Sequence, residues 1–366
     1  MTLARPAEQE QFAAALHDML TAADVPGAAR RWAAGDHAAG LGVWRRLAGL
    51  GVTALAVPEK WGGLGASPLD VVVACEELGH HAVPGPVAES VAAVPELLRA
   101  LIEGGPGSAD GWRPAEDPRS ADDPRSADGA RCEELCGGWL TRLAAGELGT
   151  LAMPPRLPYA VDADAADMVL LVSVEAVAIA VPEARHQSVD PARSLFDVAS
   201  GPVLARGPAV ADAACRAGRL GALASAAQLL GAGRALLEAS VRHAGQRVQF
   251  GRPVGAFQAV KHRLADAAIG LEFARPLLDA AAVALAVDSA TAARDVSAAK
   301  VACADAAHRA ARAALQVHGA IGYTREHDLS LWLTKVRALV PAWGTQAEHR
   351  AVVMAALTGD GEAAWS

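Results

Sequence analysis

Four residues in one short stretch carry the groups needed to grip an anion. From Arg242 to Arg263 the chain reads RHAGQRVQFGRPVGAFQAVKHR, with Arg247, Gln249, Phe250 and Gln258 inside it. A guanidinium offers a permanent fork of donors, the amides add neutral donors, and the ring adds a flat face. Held at one corner, they suit a polyanion such as a pyrophosphate. The stretch predicts two long helices meeting there. Gly251 relaxes the backbone, while Pro253 removes a donor and biases Arg252 to an extended conformation, so no helix continues through residues 250–253. A plain helix–turn–helix corner with a solvated Arg fits the same residues.

A second stretch, Gln316-Val-His-Gly319-Ala-Ile-Gly322, closes a later helix. Glycines at a helix exit let a ligand approach the backbone closely, and they serve equally as a helix C-cap. Both roles can hold at once. His318 reads as packed or solvated.

Arg-x-x-Phe-Gly followed by Phe-Gln, with Gln258 eleven residues after Arg247, resembles the flavin-contacting segment of the acyl-CoA dehydrogenase family. The resemblance runs from about Ala33 to Met354. It implies an oxidoreductase of the FAD-dependent, CH–CH type acting on an acyl-CoA or carrier-bound acyl thioester. It implies that Arg247, Gln249, Phe250 and Gln258, with Gln316 and Gly319 from the second motif, contact FAD held mainly by a neighbouring subunit. Ala320 replaces a Gly of the family motif. The implied assembly is a homo- or hetero-oligomer, a dimer or tetramer with an acyl-CoA dehydrogenase-like subunit.

Oxidising a thioester at its α,β bond needs a carboxylate to take the α proton. The family's commoner position for that Glu directly precedes Gly-Thr, and here Trp343 stands before Gly344-Thr345. The other position falls on Gly221. Glu238 and Glu348 lie near in sequence but at other helix phases, and read as surface charges. The catalytic residue is therefore unassigned, as in actinobacterial members of the family that lack the usual Glu.

The elements that must position these residues are mostly helical. Of the 366 residues, 52% are hydrophobic and only 4% aromatic, so the apolar mass is Ala, Leu and Val, which suits close-packed helices. A net charge of −8 leaves no broad basic surface, against nucleic-acid binding. Five cysteines without framework spacing suggest a reducing compartment, and a cytoplasmic location is expected. No uncharged span reads as a membrane helix and no signal-peptide core opens the chain. No metal site is expected: Cys132 and Cys136 have no second pair, and adjacent His80 and His81 point apart on a helix and read as its end.

The fold expected is mainly α with a small β unit, in the acyl-CoA dehydrogenase arrangement. Residues 1–102 form an N-terminal helical domain, with a Gly-rich loop at 58–65 and a helix started by Ser67, Pro68 and Asp70. Residues 103–137, with Asp-Pro-Arg-Ser-Ala-Asp twice in succession, read as a disordered insertion. Residues 138–208 hold the end of the helical domain and a shortened β domain: a hairpin from Met168 and Glu175, with a possible short third strand at Val203. Residues 209–366 form a four-helix bundle, with Pro276 bending its second helix and Leu329, Trp332, Leu333 and Val336 as the stripe of its fourth.

Three functional readings follow. The retained grip, shortened β unit and missing base favour a catalytically incomplete subunit of a heteromeric enzyme of fatty acid or sterol side-chain metabolism. The alternatives are an active dehydrogenase with a relocated base, and a flavin-dependent oxygenase or scaffold on the same fold.

Overall fold

Six helices, a small sheet and a long helical bundle follow one another along the chain. The computed structural model describes residues 5–104, 124–324 and 326–359. The first helices are α1 (Ala7–Ala22), α2 (Val25–Ala33), α3 (Ala38–Gly49), α4 (Pro68–His80), α5 (Val94–Glu103) and α6 (Pro124–Ala144). The Ser67 hydroxyl accepts from Asp70 N–H and the Asp70 carboxylate accepts from Ser67 N–H, so the expected helix start is a complete capping box. A π-helical turn, Glu89–Ala93, precedes α5.

The expected insertion requires a correction. Part of it, residues 105–123, lies outside the described residues, but residues 124–137 are helical and belong to α6. Cys132 and Cys136 are buried on that helix, and Gly137 sits under the Trp61 ring.

The sheet is larger than the sequence suggested. Strands β1 (Gly149–Ala152), β2 (Ala160–Val161), β3 (Met168–Val172), β4 (Ala176–His186) and β5 (Leu195–Arg206) lie in the order β1-β3-β4-β5-β2. The β3–β4 hairpin pairs Leu170 with Ile179 and Leu171 with Ala178. β1 runs parallel to β3. The strand expected to be short at Val203 spans twelve residues. Gly201-Pro202 hides it in sequence, since Gly weakens a strand and Pro cannot donate to a ladder, and register shifts along β4–β5 absorb the defect.

The core helix of the bundle is α7 (Ala209–Gln246), followed by a two-stranded hairpin, β6 (Val248–Gln249) and β7 (Arg252–Pro253). Then come α8 (Gln258–Ala286), with Pro276 inside it, α9 (Ala292–His318) and α10 (Leu329–Leu339). A further helix, α11 (Gln346–Thr358), packs on α9 beyond the four expected. α7 packs against α4, α5, α8, α9 and α10. Gly79 of α4 and Gly231 of α7 face each other's backbones, where a Cβ would overlap the Gln228 and Glu76 carbonyl oxygens. By length and composition α7 could cross a membrane, contrary to the sequence reading, but 89% of its most apolar window is buried inside the protein. The middle of α7, residues 220–233, is free of charge and buried throughout, as such a central position requires.

A buried ionic knot ties α4, α7 and α8 together. The Glu76 carboxylate accepts from Arg234 at 2.6 Å and from both terminal nitrogens of Arg275 at 2.8 and 2.9 Å, and Arg5 lies 3.0 Å away. Burial opposes its ionisation, but Arg275, Arg5 and Arg234 outweigh burial and hold the carboxyl at about 2.

Candidate functional site

The corner after α7 is a β-hairpin rather than a bare helix–helix turn. Val248 pairs with Pro253 and Gln249 with Arg252. Phe250 and Gly251 make the two-residue turn with φ of +52° and +77°, the double left-handed conformation of a tight hairpin. For Phe that conformation is strained. Its ring is 91% exposed at the tip. Behind it, Phe257 stands 6.1 Å away edge-on, and the Arg252 guanidinium lies over the Phe257 ring at 4.3 Å. The tip is thus a braced aromatic, not a loose loop.

Arg247 is the C-cap of α7: its N–H donates to His243 O, and its own carbonyl accepts from Val254 N–H at 2.8 Å. Its side chain is exposed and among the described residues forms no ion pair. Gln249 is exposed, and its amide donates to the Val248 carbonyl at 2.8 Å. Gln258 is exposed at the first turn of α8.

The second motif closes α9. Gln316 is exposed on the last turn, and Gly319 is the C-cap at φ +65°. His318 is buried, its Nδ1–H donating to Ala314 O at 2.8 Å, and its ring stacks on His243 at 4.3 Å. That stack joins the last turn of α7, just before Arg247, to the last turn of α9, just before Gly319. The two motifs therefore project from neighbouring helix ends.

The two positions considered for a base are in contact. Trp343 is 1% exposed and has φ +61°. Its ring lies where a Cβ on Gly221 would be. The corner that carries it is fixed from behind. Lys300 Nζ donates to the carbonyls of Leu339 (2.8 Å) and Val340 (3.2 Å). Burial and Lys300 hold His349 down at about 4, so the ring is neutral; its Nε2–H donates to Trp343 O at 3.0 Å and Nδ1 accepts from Ser297 at 3.1 Å. Thr345 and Glu348 then cap α11 reciprocally, which gives Glu348 its place.

Sequence reasoning passed over Glu89. It is buried in the π-helical turn, with the Trp343 indole beside its carboxyl. Burial raises its proton affinity; Arg193, Trp343 and Lys335 oppose that without cancelling it. A π turn inside an apolar run marks the spot only once the backbone is known. Glu238 is also more than a surface charge: its carboxylate lies 3.1 Å from His80 Nε2, and His80 with burial opposing draws it below the ordinary range.

His80 and His81 do not diverge as expected, because α4 ends at His80. His81 is its C-cap, at φ −94° and ψ 3°, and the two ring centroids come within 4.9 Å. Both meet His17 of α1, at 5.2 and 4.8 Å.

Comparison with known proteins gives the family. The acyl-CoA dehydrogenase N-terminal domain model matches residues 6–102, and the C-terminal domain model matches residues 206–358. The acyl-CoA dehydrogenase IpdE2 of Mycobacterium tuberculosis is 30% identical over 340 residues, covering 90% of this chain and 91% of that protein. The chain belongs to the acyl-CoA dehydrogenase family. Its fold matches butyryl-CoA dehydrogenase from Megasphaera elsdenii with a TM-score of 0.77 at 20% identity, covering 98% of this chain and 100% of that one. It also matches a chain of the ChsE4-ChsE5 complex from Mycobacterium tuberculosis with a TM-score of 0.74 at 21% identity, over 99% and 100% of the respective chains. This acyl-CoA dehydrogenase thus keeps the family fold, with the Trp343 indole packed on Gly221.

Proposed function

We propose that this chain is a catalytically incomplete subunit of a heteromeric acyl-CoA dehydrogenase, contributing contacts to an FAD held chiefly by a partner subunit. The observation that carries the reading is Trp343 seated on Gly221. An indole accepts no proton, and the ring fills the space in which a carboxylate on α7 would have to stand.

The residues present fit a cofactor presented from outside. Arg247 offers an exposed guanidinium suited to a pyrophosphate, Phe250 a braced flat ring, and Gln249 and Gln258 exposed amides. Gln316 and Gly319 project from the neighbouring helix end, with an approachable backbone at Gly319. When bound, FAD supplies the hydride acceptor for thioester oxidation. This chain's part is to bind and orient it, and Trp343 excludes water from the buried junction.

An oligomer is supported by α8. Ile269, Phe273 and Leu277 recur at helical spacing on one face and are 53%, 73% and 45% exposed. Apolar surface in such a row suits contact with another subunit. A two-protein complex among the fold matches, ChsE4-ChsE5, favours a different chain as partner.

A second reading has one observation behind it. The Glu89 carboxyl lies against Trp343 in the same junction, so an active dehydrogenase would have Glu89 as its relocated base.

The test is co-expression with an acyl-CoA dehydrogenase chain that carries Glu before Gly-Thr, followed by dye-coupled thioester oxidation. Activity should appear only in the complex and vanish when the partner's Glu is replaced. Full activity in this chain alone contradicts the proposal.

A further inference from the structure

Away from the flavin contacts, four metal-ligating side chains converge where the end of α4 meets α1. His17 comes from α1, Glu77 and His80 from the last turn of α4, and His81 from its cap. One donor atom from each lies within 4.8 Å of every other. His17 Nδ1 is 3.1 Å from Glu77 Oε2 and 3.2 Å from His81 Nε2. Donors held about 2.0–2.2 Å from a tetrahedral ion stand roughly 3.3 Å apart, so these edges already have the right length.

His80 supplies the independent sign that something is to be bound. Its side chain is nine-tenths buried, yet Nδ1 has no hydrogen-bond partner. Its Nε2 faces the Glu238 carboxylate at 3.1 Å. A carboxylate behind one ring nitrogen, leaving the other free to ligate, is the usual outer-shell support of a metal-bound imidazole. A buried nitrogen with no partner is otherwise costly.

The charges also suit a divalent cation. Glu77 and Glu238 supply two carboxylates around three imidazole rings. Arg234 touches Glu77 Oε1 at 3.2 Å but lies closer to Glu76, at 2.6 Å. His17, half exposed, and His80 and His81 also line a cavity of about 520 Å³ that includes Arg242, His243 and Trp332, which gives an ion a path in. Trp332 fixes the cap by donating to His80 O at 2.7 Å.

We propose that His17, Glu77, His80 and His81 form a binding site for a divalent transition metal ion of the zinc class, with Glu238 as the orienting carboxylate behind His80. The imidazole-rich donor set selects against magnesium and calcium, which take oxygen ligands. The ion would clip α1 to α4 across sixty residues of chain.

The experiment uses the full chain without a histidine tag, stripped with chelator and then given zinc or cobalt(II) chloride. We expect stoichiometric zinc after desalting, a cobalt(II) visible spectrum of tetrahedral intensity, and a rise in melting temperature on zinc addition. His17→Gln and His81→Ala should abolish all three, and Glu238→Gln should weaken zinc binding about 10–100-fold. His17 is half exposed, so His17→Gln carries the test should His81→Ala fail to fold. Absence of stoichiometric zinc in the native chain, or binding that survives both substitutions in folded protein, overturns the site.

Discussion

The Trp343 indole packs on Gly221 of α7 and lies beside the Glu89 carboxyl. That contact couples three elements: the corner before α11, the core helix and the π-helical turn before α5. A Cβ at position 221 would stand 2.4–2.6 Å from three atoms of the Trp343 ring, so the glycine is what leaves room for it.

Replacing Trp343 by Ala should cost about 3–5 kcal/mol, the range for truncating a fully buried aromatic. Trp343→Gly should be no worse than Ala despite its larger cavity, because φ +61° favours glycine. Urea denaturation of both variants checks the pair. A cost below about 1 kcal/mol would mean the corner collapses freely and the plug is not structural.

Phe250 predicts the opposite balance. Its ring is exposed and its backbone strained, so Phe250→Gly should leave the melting temperature unchanged or raise it, by up to about 1 kcal/mol of relieved strain. Arg247→Ala should likewise stay within about 0.5 kcal/mol of the native chain. Both should lower flavin retention in the assembled complex. Retention equal to native in both variants would remove the hairpin from the cofactor site.

Glu76 sets an acid limit. Its folded carboxyl sits at about 2 against an ordinary value of 4.5, so it binds its proton less readily in the fold than in the unfolded chain. Its stabilisation is complete above about 4.5 and is lost as pH falls from there toward 2. Glu76→Gln should flatten that slope and cost about 3–5 kcal/mol at neutral pH, because Arg275 loses its carboxylate while Arg5 and Arg234 keep only Asp279 and Glu77. Denaturation midpoints across the acid range decide it; parallel slopes in both proteins would rule the knot out as the source.

Glu89 behaves in the reverse sense. Burial raises its carboxyl in spite of Arg193, Trp343 and Lys335, so folding favours the protonated form and stability declines as pH rises past the ordinary carboxylate range. Glu89→Gln should remove that decline and leave thioester oxidation by the complex intact. Loss of oxidation in a folded Glu89→Gln complex would move the base to this residue and favour the second reading.

Much of the architecture was legible because local rules and tertiary needs agreed. Ser67, Pro68 and Asp70 announce α4 and cap it; Ala and Leu run through α7, whose middle, residues 220–233, is buried on all sides; the residues around Pro253 break the helix where the chain turns. What escaped depended on partners distant in sequence or on unexpected backbone. Phe250 in a left-handed turn is not a residue type that signals a tight hairpin, which favours Asn and Gly. Gly201-Pro202 concealed β5, and the second Asp-Pro-Arg-Ser-Ala-Asp hexamer reads as loop although its Pro124 opens α6. His80 and His81 gain meaning only with His17, sixty-odd residues earlier, and Glu89 only with Trp343 folded over it.

The most direct measurement is the flavin content of purified protein, made first from this chain alone and then from the complex with its catalytic partner. The account predicts a colourless chain that oxidises no acyl thioester, and a yellow complex whose flavin tracks the partner and is lost with Arg247→Ala. A chain that purifies yellow by itself and reduces its flavin with an acyl-CoA would contradict it.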